Sequence, residues 1–146
     1  MSWDKLSLTE NHTSEYVADI AIAPSGDIAI GLGCYLPDMG GLFRSTNGGA
    51  DWEFLGLFKR MVENLEYNAQ GDLIIGVRGG YDGTGGIYAI YHDNPDQIVE
   101  CLAGPNINGL SLNSAGDIFA GSGSPNGIIR STDNGQTFEF INGGLP

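Results

Sequence analysis

The chain has 146 residues, with 18 acidic against 6 basic side chains and a formal net charge of −12. A length near ~150 residues is the usual size of one domain with its own core, and so acidic a balance argues against nucleic acid and anionic membranes, which both require clustered Lys and Arg. No run of ~18 apolar residues is present to span a bilayer. Met1-Ser2-Trp3-Asp4-Lys5 has neither a basic leader nor an apolar core, so no signal peptide is read.

Glycine stands out, with 24 residues where about 7% is usual. Hydrophobic residues at 41% and aromatics at 10% exclude disorder, and the combination indicates many short strands joined by tight turns. In chain order, Trp3 to Leu8 is the first strand-like segment. A unit of 45 residues then begins and repeats, marked by Gly26-Asp27, Gly71-Asp72 and Gly116-Asp117. Before each Gly-Asp lies an alternating strand: Val17 to Ala23, Val62 to Asn68, Ile107 to Asn113. The X-Gly-Asp link reads as a hairpin turn, since glycine admits positive φ at no steric cost. A continuously apolar strand follows each turn, from Asp27, Asp72 and Asp117, as expected where both faces are buried.

After a glycine-rich loop come third strands at Leu42 to Ser45, Ile87 to Ile90 and Ile128 to Ser131. Fourth strands start at Trp52, Ile98 and Phe138. Four short strands per ~45 residues is the period of a β-propeller blade. The expected division is residues 1–16 as outer strand and link, 17–60 as blade 1, 61–105 as blade 2 and 106–146 as blade 3. A single sandwich gives no reason for such a repeat.

Between third and fourth strands, Ser45-Thr-Asn47-Gly-Gly49-Ala-Asp-Trp52 and Ser131-Thr-Asp133-Asn-Gly135-Gln-Thr-Phe138 both fit Ser-x-Asp/Asn-x-Gly-x-x-aromatic. This resembles the Asp-box, or BNR repeat, of sialidase-like propellers. Tyr91 to Ile98 is a degenerate copy, one residue out of register. The chemistry is that of a self-satisfied turn, with an Asp or Asn side chain accepting backbone N–H groups and Gly in the left-handed region. Ser45, Asn47, Gly49, Trp52, Ser131, Asp133, Gly135 and Phe138 are therefore read as structural.

Rings of this architecture hold ~4–8 blades, so three blades do not close one. Open blade faces would expose apolar surface that soluble monomers avoid. The expectation is a homo-oligomer, with a six-bladed dimer favoured, or else part of a longer propeller.

The resemblance puts the loops between second and third strands on the rim opposite the Asp-boxes. Candidate ligand-binding residues there are Tyr35, Asp38, Arg78, Tyr81, Asp82 and Asn126, on loops carried by a rigid scaffold. Enzymes of the sialidase type need three converging arginines, a Tyr nucleophile with a supporting Glu, and an Asp acid/base. Of four arginines, Arg44 and Arg130 sit before the Asp-boxes, Arg60 precedes a blade, and Arg78 alone lies in a rim loop. His12 and His92 are the only histidines, and no Gly-x-Ser-x-Gly elbow or Cys-His arrangement is present. Gly79 to Gly86 lies between strands and offers no helix N-terminus to a phosphate. Calcium at Asp38 or Asp82 would need denser oxygen ligands, so no metal and no cofactor is expected.

Cys34 and Cys101 are too few for a disulfide framework or a zinc site and are read as free thiols. Asn11-His-Thr13 fits a glycosylation sequon, meaningful only in a secreted chain; the compartment is left open between the cytoplasm and a chain that has lost its leader. The reading is a non-catalytic binding or assembly module with a glycan or protein ligand. The alternative is a piece of a sialidase-like glycoside hydrolase whose catalytic residues lie on other blades. Asp-box propellers that assist photosystem assembly are disfavoured by the net charge of −12.

Overall fold

Period-two patterning and glycine turns produce twelve strands among the described residues, and no helix. The computed structural model describes residues 15–34, 40–79, 84–123 and 126–144; the Trp3 to Leu8 segment, His12 and the Asn11 sequon lie outside them. Blade 1 contains β1 (Glu15–Ile22), β2 (Ile28–Cys34), β3 (Gly41–Ser45) and β4 (Glu53–Gly56). Blade 2 contains β5 (Met61–Tyr67), β6 (Leu73–Arg78), β7 (Gly85–Ile90) and β8 (Val99–Gly104). Blade 3 contains β9 (Ile107–Leu112), β10 (Ile118–Ser122), β11 (Gly127–Ser131) and β12 (Glu139–Phe140). Each blade is a four-stranded antiparallel sheet in sequence order.

The Gly-Asp turns close as tight hairpins. Gly26, Gly71 and Gly116 have φ of 94°, 94° and 87°, a region that costs a side-chain-bearing residue about 1–2 kcal/mol. The Asp residues precede the strands rather than joining them, so β2, β6 and β10 begin one residue later than the apolar runs suggest. Every innermost strand carries a bulge at the same place in the repeat, where Ala18, Glu63 and Asn108 are left unpaired between their neighbours. A bulge turns its extra side chain away from the strand's alternation.

The interior is two apolar slabs between three sheets. In the first, Ala21, Ala29 and Leu42 of blade 1 meet Val62, Leu65, Leu73, Ile75, Val77, Tyr88 and Ile90 of blade 2. Two alanines and one leucine on one sheet thus face mostly large residues on the next. In the second, Ile74, Ile87 and Ala89 of blade 2 meet Ile107, Ile118, Ala120 and Ile129 of blade 3. Blade 2 is covered on both faces, which is why all of β7 and all but the last residue of β6 are buried. The equally apolar β10 is only partly buried, because one face of blade 3 is open.

Candidate functional site

Antiparallel order sends the β1–β2 and β3–β4 turns to one rim, and the β2–β3 loops with the blade-to-blade links to the other. Of the residues expected on the second rim, Tyr35, Asp38, Tyr81 and Asp82 lie outside the described residues. Arg78 is the last residue of β6 and Asn126 the residue before β11. The described contacts do not join them. Asn126 is held within blade 3, its carbonyl accepting from Asn142 Nδ2 at 2.7 Å.

Arg78 instead meets Glu63, the bulged residue of β5, with Nη1 3.8 Å from Oε2. Tyr16 of blade 1 donates its hydroxyl to the other Glu63 oxygen at 3.4 Å. Its ring lies so close over Gly33 that a Cβ there would stand 2.6 Å from Cε2. A glycine in β2, a bulge in β5 and the end of β6 thus bring a phenol, a carboxylate and a guanidinium together across the first blade junction. The guanidinium is about half exposed. The sequence reading singled out Arg78 but missed Tyr16 and Glu63; the bulge, which shifts strand register by one, carries no residue signature of its own. Nearby, Arg60 is tied to the carbonyl and hydroxyl of Thr84, and Gly79 N–H donates to Asn106 at 2.7 Å.

On the opposite rim the two Ser-x-Asp/Asn turns are closed by their own side chains. Ser45 Oγ accepts from Gly49 N–H at 2.8 Å and Asn47 Oδ1 from Asp51 N–H at 2.9 Å. In blade 3, Ser131 Oγ accepts from Gly135 N–H at 2.9 Å and Asp133 Oδ1 from Thr137 N–H at 2.8 Å. Hydrogen bonds from the Thr137 hydroxyl and N–H and from Ser131 hold Asp133 down at about 2. The blade 2 turn closes differently, through Asn94 N–H to the Tyr91 carbonyl at 2.9 Å. Beside it an open groove of about 270 Å³ runs between blades 1 and 2, lined by Asp27, Arg44, Tyr67, His92 and Pro95 among others. Arg44 and Arg130 both serve their own blades, pairing with Glu53 at 3.1 Å and Asp117 at 2.8 Å.

This rim also holds a buried carboxylate with four donors. Asp72 accepts from His92 N–H and Nδ1, Asn68 Nδ2 and Asn134 Nδ2, all within 2.7–2.8 Å. Burial by itself raises an acid's pKa, but these bonds outweigh it and bring Asp72 to about 2. The same carboxylate draws the His92 imidazole above its ordinary value. Tyr91 donates to the Asn134 carbonyl at 3.1 Å and lies 3.7 Å from Cys101 Sγ; burial first, then the thiol, pushes Tyr91 up to about 12. The Asp72 carboxylate is fully engaged inside the protein, so the cluster joins blades 2 and 3, while the His92 ring itself stays 56% exposed.

No family model and no curated protein sequence matches the chain. Two solved structures share its fold. The extracellular domain of a protein described as a one component system, BT4673 from B. thetaiotaomicron, superposes with a TM-score of 0.62 at 20% identity over 86% of this chain. YCF48 bound to D1 peptide superposes with a TM-score of 0.58 at 20% identity over 85% of this chain. The chain spans 16% of the first and 39% of the second. The architecture is that of β-propeller blades.

Proposed function

We propose that the chain is a non-catalytic binding or assembly module of Asp-box propeller type, which self-associates to complete its ring and offers the rim of β2–β3 loops to a glycan or protein ligand. The observation that carries this reading is apolar surface exposed on the face of blade 1 that looks away from blade 2, around Ile30 and Leu32, which are themselves buried. Val17, Ile20, Ile22 and Phe54 are 51%, 57%, 66% and 48% exposed, a density of open apolar surface that marks an interaction site. The serine-closed turns at Ser45 and Ser131 support the Asp-box assignment. Because a similar fold, YCF48, has been solved with the D1 peptide, an extended peptide is the first ligand to try on the rim.

Light scattering tests the assembly reading: a mass of twice 15.4 kDa is expected, and a monomer at all concentrations overturns it. The rim ligand is tested by titrating peptide and glycan libraries against the protein and an Arg78→Ala variant, with binding weakened in the variant.

One observation favours a second reading, a piece of a sialidase-like hydrolase. Tyr16 and Glu63, hydrogen-bonded beside Arg78, are the residue types such a site uses for its nucleophile and supporting base. Against it, Arg44 and Arg130 belong to the other rim and Arg60 is engaged with Thr84, leaving one arginine where three converge in that family. Turnover of chromogenic sialosides that disappears in Tyr16→Phe would favour the second reading over the first.

A further inference from the structure

The two internal blade junctions are built alike, and each end of the chain carries one unused half of the same device. At the first junction, Gly31 of β2 faces Val62 of β5 so closely that a Cβ on the glycine would stand 2.7 Å from Val62 Cγ1 and closer still to its carbonyl oxygen. At the second, one repeat later, a Cβ on Gly76 of β6 would stand 2.8 Å from Ile107 Cγ2. Each junction therefore seats an apolar knob, the residue just before the inner strand's bulge, in a hole left by the previous blade's glycine. Both knobs are fully buried, Val62 and Ile107 at 0% exposure.

The third hole and the remaining knob are present and empty. Gly121 holds the repeat position of Gly31 and Gly76, and no described atom comes within 4 Å of a Cβ placed on it. Val17 holds the repeat position of Val62 and Ile107 and is 51% exposed. The surroundings follow the same rule. Leu65 of the first junction is 4% exposed, while its counterpart Ile20 is 57% exposed. Arg44, inside the first junction, has a side chain 18% exposed, while its counterpart Arg130 on the open face of blade 3 is 36% exposed. One difference sharpens the fit. Asp19 and Asn64, paired with Gly31 and Gly76, each hydrogen-bond the next blade: Asp19 Oδ2 accepts from Leu65 N–H at 2.7 Å and Asn64 Nδ2 donates to the Ile107 carbonyl at 3.2 Å. The residue paired with Gly121 is Gly109, so the third hole is wider and its contact is steric.

Resting on the assembly reading above, we infer that the open face of blade 3 docks on the exposed inner strand of blade 1 of a second copy of this chain, with Val17 of each seated over Gly121 of the other. Such a contact joins two different faces, so it must close a ring or grow into a filament. Rings of this architecture hold ~4–8 blades, and six is the only multiple of three in that range. Two copies therefore close it, with two identical seams.

The test uses Gly121→Leu, which fills the hole, and Val17→Asp, which puts a charge on the knob. Gly121 has ordinary strand geometry and open space beside it, so its variant folds as the parent does. Each variant alone is expected to sediment as a monomer, with the dimer dissociation constant raised about 30-fold or more, the effect of losing a central interface residue. Mixed together, they regain a dimer, because one seam then pairs an intact Val17 with an intact Gly121. Should both variants stay dimeric, or should the mixture stay monomeric while the parent dimerises, the docking geometry is wrong and self-association itself survives. A parent chain that is monomeric at all concentrations removes both. If Gly121→Leu does not fold, Val17→Asp alone decides by the same mass.

Discussion

Asn134, in the β3–β4-type turn of blade 3, donates its side-chain amide to the Asp72 carboxylate of blade 2 at 2.8 Å, across 62 residues of sequence. Asn134 holds a left-handed φ of 57° to do so. Its own amide oxygen accepts from Asn68 at 3.3 Å, and its carbonyl accepts from Tyr91. A single turn residue therefore latches blade 3 to three residues of blade 2, outside the apolar slab that joins the same blades.

Replacing Asn134 by glycine keeps the backbone conformation and the carbonyl that accepts from Tyr91, and removes the side-chain contacts to Asp72 and Asn68. A hydrogen bond to a charged, buried partner contributes about 1.5–3 kcal/mol, so Asn134→Gly is expected to lower the urea unfolding free energy by that amount. Asp72→Ala strands four donors and costs more. A loss below about 0.5 kcal/mol for Asn134→Gly would mean that the apolar slab alone holds the junction.

His92 and Asp72 set a dependence on the alkaline side. The folded pKa of His92 is raised above its ordinary value of 6.5 by its bond to Asp72. A group raised on folding binds its proton more tightly in the native state, so its contribution is full below about 6.5. It is lost as pH rises through the folded value. Unfolding free energy should decline over that window in the parent and stay flat in His92→Gln, and the His92 ring should titrate by NMR above 6.5. A midpoint at or below 6.5 contradicts the pairing.

The acid limb runs the other way. Asp72 and Asp133 both fall to about 2 from an ordinary value of 3.8, so each contributes stability above about pH 4 that disappears as pH drops toward 2. Asp133→Asn keeps the acceptor oxygen but removes the charge. It should flatten part of the acid transition and lower the stability near neutral pH toward the value the parent keeps in acid, read by circular dichroism from pH 5 to 1.5.

How much of this was legible beforehand depends on which residues carried it. The 45-residue spacing of Gly26, Gly71 and Gly116 located the starts of the twelve strands among the described residues to within two residues, because strand and turn patterning are local properties. The hairpin Asp residues read as turn-formers, yet Asp72 is an inter-blade hub. The signal for that was Asn68-x-x-x-Asp72, repeated as Asn113-x-x-x-Asp117, where the Asn side chain accepts from the Asp N–H at 2.8 and 2.9 Å. Nothing local distinguishes Asp72 from Asp117; the difference is the neighbouring turn, with Asn134 present beside one and no described blade beside the other. Glu63 was illegible for a related reason, since a bulge is set by pairing with a distant strand.

Two kinds of glycine can be separated by substitution. Gly26 has φ of 94° and open space around it, so its cost on substitution is backbone strain, which Asn tolerates better than Ala. Gly31 has ordinary strand geometry but Val62 pressed against it, so its cost is overpacking of about 1–3 kcal/mol and grows with side-chain size. Thermal or urea unfolding of four variants should therefore rank in opposite orders. At position 26 Asn should be milder than Ala, and at position 31 Ala should be milder than Asn. The same order at both sites would mean that Gly31 is kept for its backbone freedom, and that the second inner strand does not need the close approach that builds each blade junction.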